Sequence, residues 1–400
     1  MSHRKRASGW SLPALGLLAV TAGWGCRRDD PADLSFRART DFARGRLADA
    51  ESDFTRLARL RRLTVAERLL RAQVAQQRGR LDDAVAALED PHNPKKGPEA
   101  AQLAARRGEL EMERRRLRAA EAELTRALDL EPGLVDARRR LIWLYAQQGR
   151  AAELDAAARA LARSIPLDFF DLFLWTLARR ESLDQAERAE LLGRAVAVDA
   201  GDRPSRLALA ECLRRLGRLD QADSTLSDLP QTDPDARAAR ARVALDRGEL
   251  ARVEDLLGAD SPGESHPAIA RLRGRLALVR GDARSAIGHF RAALKAAPDD
   301  RDSQFGLGQA LRLAGEPEAA RPHAETARAL DHLEWLVQSA RPPDRRKNPA
   351  VLQSIAAACL ALGRRDQARA WYQLALRHDP GNAAVQQALS RLDSPGTARP

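Results

Sequence analysis

Residues 267–298 read PAIARLRGRLALVRGDARSAIGHFRAALKAAP, and their spacing decides the fold. Ile269, Leu272, Leu276 and Val279 recur at steps of three and four, which is one stripe of a helix. Gly281 ends that stripe, where a left-handed C-cap costs glycine little. Ala286, Phe290, Ala293 and Leu294 make the apolar face of a second helix. Pro298 closes the segment, because proline cannot continue a helix. Such a pair exposes apolar surface at both ends and needs similar neighbours to be stable.

Those neighbours are in the chain. Gly-Arg-Leu-Ala-Asp-Ala begins at Gly45, Gly-Arg-Leu-Asp-Asp-Ala at Gly79 and Gly-Arg-Leu-Asp-Gln-Ala at Gly217. Related phrases start at Gly149, Gly248, Gly281, Gly315 and Gly363, with Arg115 and Ser182 in the same place of two further copies. The intervals are 34, 36, 34, 33, 35, 31, 33, 34 and 48 residues, so only the last departs from a period near 34. A chain of 400 residues would otherwise predict two or three domains. The period predicts one array of helical hairpins instead. Composition agrees: 44% of residues are hydrophobic, only 4% are aromatic and 31% are charged, with a mean hydropathy of -0.46. So few rings argue against a β-sandwich or barrel. The apolar content is too high for a disordered chain, and one short apolar stretch excludes a polytopic membrane protein.

The residue types at fixed places resemble the tetratricopeptide repeat. That family has a small residue at the eighth place, alanine at the twentieth, a large apolar at the twenty-fourth, a small residue at the twenty-seventh and proline at the thirty-second. Residues 267–298 supply Gly274, Ala286, Phe290, Ala293 and Pro298. Residues 101–132 supply Gly108, Ala120, Leu124, Ala127 and Pro132, and residues 349–380 supply Ala356, Ala368, Tyr372, Ala375 and Pro380. Residues 203–234 place Leu229 at a small position, and residues 301–332 end on His332. Ile142, Leu154 and Val253 also replace small residues. The resemblance covers residues 34–392. It implies an all-α, right-handed superhelix of about nine to ten helix-turn-helix repeats.

Two segments interrupt the period. Asp90 to Pro98 reads as a loop or short linker. Residues 333–348 read as an insertion, in which Leu333, Trp335, Leu336 and Val337 extend a helix. Arg341-Pro342-Pro343-Asp344-Arg345-Arg346-Lys347 then forms a basic loop, ahead of a last repeat expected to pack loosely. Val385, Leu389 and Leu392 suit a terminal capping helix, and residues 393–400 a disordered tail.

The first 25 residues have the order of a secretory signal. Arg4, Lys5 and Arg6 precede an apolar run from Leu12 to Val20 and small residues from Thr21 to Gly25. Cys26 follows directly and resembles the lipidated cysteine of bacterial lipoproteins, although Gly23 and Trp24 stand where that pattern has leucine and a small residue. Residues 26–33 then read as a short tether, and the expected location is periplasmic or membrane-anchored facing outward. Plain cleavage and an uncleaved anchor are the other readings.

The net charge is +11, and 62 of the 67 basic residues are arginine. Removal of the signal leaves +8, since it carries three positive charges and no acid. Interspersed acids make most of this a solvated surface, while the excess favours acidic partners. Cys26, Cys212 and Cys359 form no C-x-x-C pair and support neither a disulfide framework nor a zinc site.

No catalytic, cofactor or metal motif emerges, so the expectation is a non-enzyme. Gly306-Leu-Gly308 lacks the third glycine and the preceding strand of a dinucleotide loop. His323-Ala-Glu325 and His332-Leu-Glu334 have no Pro-Cys-x-x-Cys after them. In the tetratricopeptide family the first helices line a concave groove through their second, fifth, ninth and twelfth places. Carried onto this chain, those places give two candidate patches. One is aromatic: Trp143 and Phe169, with Phe173 beside a groove place, among Tyr145, Phe170 and Trp175. Such rings anchor a peptide, or else they thicken the core. The other is basic: Arg214, Arg215, Arg242, Arg271, Arg275 and Arg312, which suit carboxylates unless the alignment is chance. The leading expectation is an exported, membrane-tethered scaffold that holds segments of other proteins, acidic ones included. The alternative is a basic solenoid for nucleic acid or another polyanion.

Overall fold

The computed structural model describes residues 30–177, 184–258 and 266–393. The signal, Cys26, Ser182 and residues 394–400 lie outside them. All 21 elements among the described residues are helices. The chain divides into two compact units, one ending at Leu70 and the other starting at Arg71.

The first unit holds α1 (Pro31–Ala43), α2 (Leu47–Leu60) and the start of α3 (Val65–Gln77). Leu34, Ala38, Ala50, Phe54 and Leu57 are its fully buried apolar side chains. Helix α1 begins inside the stretch expected to be a tether. Asp30 accepts from the Ala32 N–H at 3.1 Å and Pro31 follows it, which is a helix start signal. Glu67 is 1% exposed yet charged. Arg61 grips both of its oxygens at 2.7 and 2.8 Å, Ser35 Oγ donates at 2.6 Å and the Thr64 N–H at 2.9 Å. Led by the Arg61 bond, these donors hold its carboxyl at about 2.

The second unit continues with α4 (Leu81–Ala87) and then repeats one motif, the antiparallel hairpin. The pairs are α5 (Pro98–Glu113) with α6 (Leu117–Leu130), and α7 (Val135–Gln148) with α8 (Ala151–Ser164). Next come a short α9 (Phe169–Thr176) and α10 (Gln185–Val198). Then α11 (Arg203–Arg215) pairs with α12 (Leu219–Leu226), α13 (Pro234–Asp246) with α14 (Leu250–Leu257), and α15 (Pro267–Val279) with α16 (Ala283–Ala296). Finally α17 (Arg301–Leu313) pairs with α18 (Pro317–Ser339), α19 (Pro349–Ala361) with α20 (Arg365–His378), and α21 (Ala383–Asp393) caps the end.

The repeated phrase is the turn of each hairpin. Its glycines adopt left-handed φ between 67° and 83°. Arg115 takes the same conformation at φ 61°, alone among the described non-glycine residues. Within and between hairpins, small residues admit large ones. A Cβ on Gly274 would come within 2.9 Å of the fully buried Phe290 ring, and one on Gly306 would overlap it outright. The glycines of Gly306-Leu-Gly308 therefore serve packing. Ile142, Leu154 and Val253 are buried at most 1% exposed, so these hairpins accommodate bulk where the family pattern has small residues. Val279 departs from the expected stripe and is 59% exposed, because α15 ends there. Cys212 and Cys359 are fully buried, and burial pushes the Cys359 thiol up to about 12. Among the described residues no helix is long and apolar enough to cross a membrane.

The insertion does extend α18, with Leu333 and Val337 buried, before a turn over residues 340–348. The last repeat, however, is not loose. It docks on α9, some two hundred residues earlier in the chain, through bonds described below.

Candidate functional site

Helix α9 is the reason for that dock. Asp168 and Asp171 close a capping box at its start, with bonds of 2.9 and 3.2 Å, and Arg139 bonds Asp171 at 2.9 Å. Eight residues later the helix stops at Thr176, and the last carbonyls of a helix take partners from outside it. The C-terminal hairpin supplies partners. Gln367 Nε2 donates to Trp175 O at 3.2 Å and Arg364 Nη1 to Thr176 O at 3.1 Å. Trp371 Nε1 donates to Thr176 Oγ1 at 2.8 Å, and Arg377 reaches Leu167 O. Arg364 also pairs with Asp299 at 2.7 Å.

This dock settles where the aromatic patch lies. Phe169 and Phe173 are each 7% exposed, with the Trp371 ring 5.7 Å from Phe169 in an edge contact. The guanidiniums of Arg341 and Arg346 cover Phe173 and Phe169 at 5.7 Å each. Trp143 is half-buried against the core. Tyr145 and Trp175 are buried, the latter donating to Asp155 at 2.8 Å, and burial pushes the Tyr145 hydroxyl up to about 12. Phe170 stays 56% exposed.

The arginines form a wall on α11, α13 and α15. Glu211 is its hub, taking bonds from Arg214 at 2.6 Å, Arg215 at 3.0 Å and Arg242 at 3.0 Å. Although burial opposes charge, Arg242 and Arg214 hold Glu211 below the usual carboxylate range. Arg214 also pairs with Asp246, and Arg271 with Asp300 at 2.9 Å. Arg275 and Arg312 are exposed and meet no carboxylate among the described residues. Burial pushes the Arg242 guanidinium down; Glu211 opposes this, while Arg271, Arg214 and Arg275 add to it. Its Nε is buried with no hydrogen-bond partner among the described residues.

Both patches meet at one cavity of about 730 Å³, lined in part by Phe173, Leu207, Glu211, Arg242, Arg271 and Asp300. Phe173, Arg242 and Arg271 are thus brought together. Arg214 and Arg215 adjoin the cavity through Glu211, while Trp143, Phe169, Arg275 and Arg312 stand outside its lining. Sequence reading missed Arg203 and His266, which also line it. Both bond Asp235, at 2.6 and 3.0 Å, and His266 leads in holding that carboxyl below its usual range. The missed signal is a second periodicity. Arg203–Asp233, Glu211–Arg242, Arg271–Asp300 and Arg301–Asp331 are bonded pairs 30, 31, 29 and 30 residues apart. The first three join successive repeats, and the last ties α17 to α18 within one hairpin. Also missed was Phe305, 47% exposed on α17 under Arg301 at 5.1 Å, in a fifth place of the repeat.

Residues 177–245 and 271–332 match family models described as tetratricopeptide repeat. Among solved structures, the APC/C hetero-tetramer Cut9-Hcn1 is 15% identical, with 91% of this chain and 90% of that chain covered and a TM-score of 0.37. A tetratricopeptide repeat protein from Parabacteroides merdae is 17% identical over 62% of this chain and 98% of its own, with a TM-score of 0.32. YrrB, described as a TPR protein with an unusual peptide-binding site, is 13% identical over 50% and 99%, with a TM-score of 0.28. No curated protein matches the chain.

Proposed function

We propose, from the premise that this chain is built of tetratricopeptide repeats, that it is an exported, membrane-tethered scaffold whose cavity holds an acidic segment of another protein. The observation that carries this reading is Arg242. Among the described residues its guanidinium stands with other arginines and bonds one carboxylate, that of Glu211. An incoming carboxylate adds counter-charge to this crowd of guanidiniums, which take carboxylates through paired bonds. Leu207 and Pro267 offer apolar contact in the same cavity. The mechanism is binding alone.

A fluorescent glutamate-rich peptide tests the site. It is expected to bind the natural chain and to lose about tenfold or more in affinity with Arg242→Gln plus Arg271→Gln. Equal binding to both chains overturns the reading. The nucleic-acid alternative predicts binding of single-stranded DNA that collapses steeply with salt. Localisation has its own check: the natural chain sediments with membranes and Cys26→Ser releases it. Identical soluble fractions for both chains would remove the tether.

A further inference from the structure

The turn between α18 and α19 carries a different kind of surface. Arg341, Arg345, Arg346 and Lys347 stand within seven residues, with Asp344 the one acid among them. Their partners are carbonyls and rings. Arg345 Nη1 donates to Ser339 O at 3.1 Å, and Arg346 donates to the Arg341 carbonyl. Arg341 covers Phe173, and Arg346 lies 4.6 Å from the centre of Phe170. None of the four cations meets a carboxylate among the described residues. Arginines of the cavity wall such as Arg214 and Arg271 do.

Two exposed rings accompany the cations. Phe170 is 56% exposed under Arg346, and Trp335 is 60% exposed. Trp335 stands one helical turn before Ser339, so it leaves α18 on the side where Arg345 is held. Residues 341–348 are exposed apart from Arg346. The turn therefore presents its cations to solvent.

We propose that this turn docks on an anionic lipid surface, through Arg341, Arg345, Arg346 and Lys347 with Phe170 and Trp335 beside them. Cations without carboxylate partners on an exposed turn are drawn to acidic headgroups, and aromatic rings settle at headgroup depth. The inference stands independently of the cavity and of Cys26.

Hydrogen exchange over residues 341–347 of the full chain tests it, because the readout is local and an inserted N-terminus does not mimic it. The probes are vesicles of phosphatidylcholine alone and of equal parts phosphatidylcholine and phosphatidylglycerol. Exchange is expected to slow about fivefold or more with the anionic vesicles only. The effect disappears at high salt and in Arg345→Gln/Lys347→Gln, which leaves both guanidiniums on their rings. Equal exchange with the two vesicles overturns the proposal. So does protection by soluble poly-glutamate without protection by vesicles, which would make the turn a protein-binding surface.

Discussion

The aromatic seam and the arginine wall start from the same kind of sequence evidence and end in opposite states. Rings at groove places on α9 are sealed by the chain's own last hairpin, with Trp371 against Phe169. Guanidiniums at groove places on α13 and α15 stay at an open cavity, each tied to one carboxylate. The difference is solvation. Uncovered rings cost free energy in water, so a chain able to reach back covers them. Arginine heads keep their water and need only a counter-charge. A sticky apolar patch read from sequence can therefore be an internal joint, while a charged patch of equal length stays available.

This contrast can be broken by removing the joint. Trp371→Ala deletes a fully buried indole and is expected to cost about 3–5 kcal/mol, with faster hydrogen exchange in α9 as well as α20. Unchanged exchange in α9 would mean the dock holds nothing. Gly306→Val tests the ordinary joint between repeats, where a side chain must displace Phe290. A loss of about 1–3 kcal/mol in thermal unfolding is expected. The wall should respond differently: Arg242→Gln leaves Tm nearly unchanged, since Glu211 keeps Arg214 and Arg215, while acidic-peptide binding falls.

Charge sealed inside the first unit sharpens the same contrast. Glu67 has its folded pKa lowered to about 2, so its contribution is present above its unfolded value, near 4.3, and is lost as pH falls through 2. Glu67→Gln should thus be less stable than the natural chain at neutral pH, and the gap in Tm should close between about pH 4.3 and 2. A constant gap would contradict the account. A change of opposite sign belongs to Arg115→Gly, expected to stabilise by about 0.5–1 kcal/mol by relieving a left-handed arginine.

Much of the fold was legible because the repeat writes local chemistry into the sequence. Gly45, Gly281 and their equivalents mark turns, and Gly274 with Phe290 marks where the two helices of a hairpin touch. Helix α18 and its basic turn were also legible from Leu333 to Lys347. The dock of α20 on α9 was not. It depends on α9 stopping at Thr176 and on carbonyls that no residue type announces. At the site, Arg242 and Arg271 were read as one patch and Phe173 as part of another, and the structure brings the three to one lining. Groove places did not reveal Asp246, Asp300 and Glu211 as partners, because an ion pair between repeats shows only as an Arg–acid interval near the period.

One measurement addresses the whole account: hydrogen exchange across the full chain with and without a glutamate-rich peptide. Protection confined to α11, α13 and α15 around Arg242 and Arg271, with α9 and α20 unchanged, is the predicted result. Protection of α9, or opening of the α9–α20 seam with no change at Arg242, would show that the ring patch is the binding surface and the arginine wall is only structural.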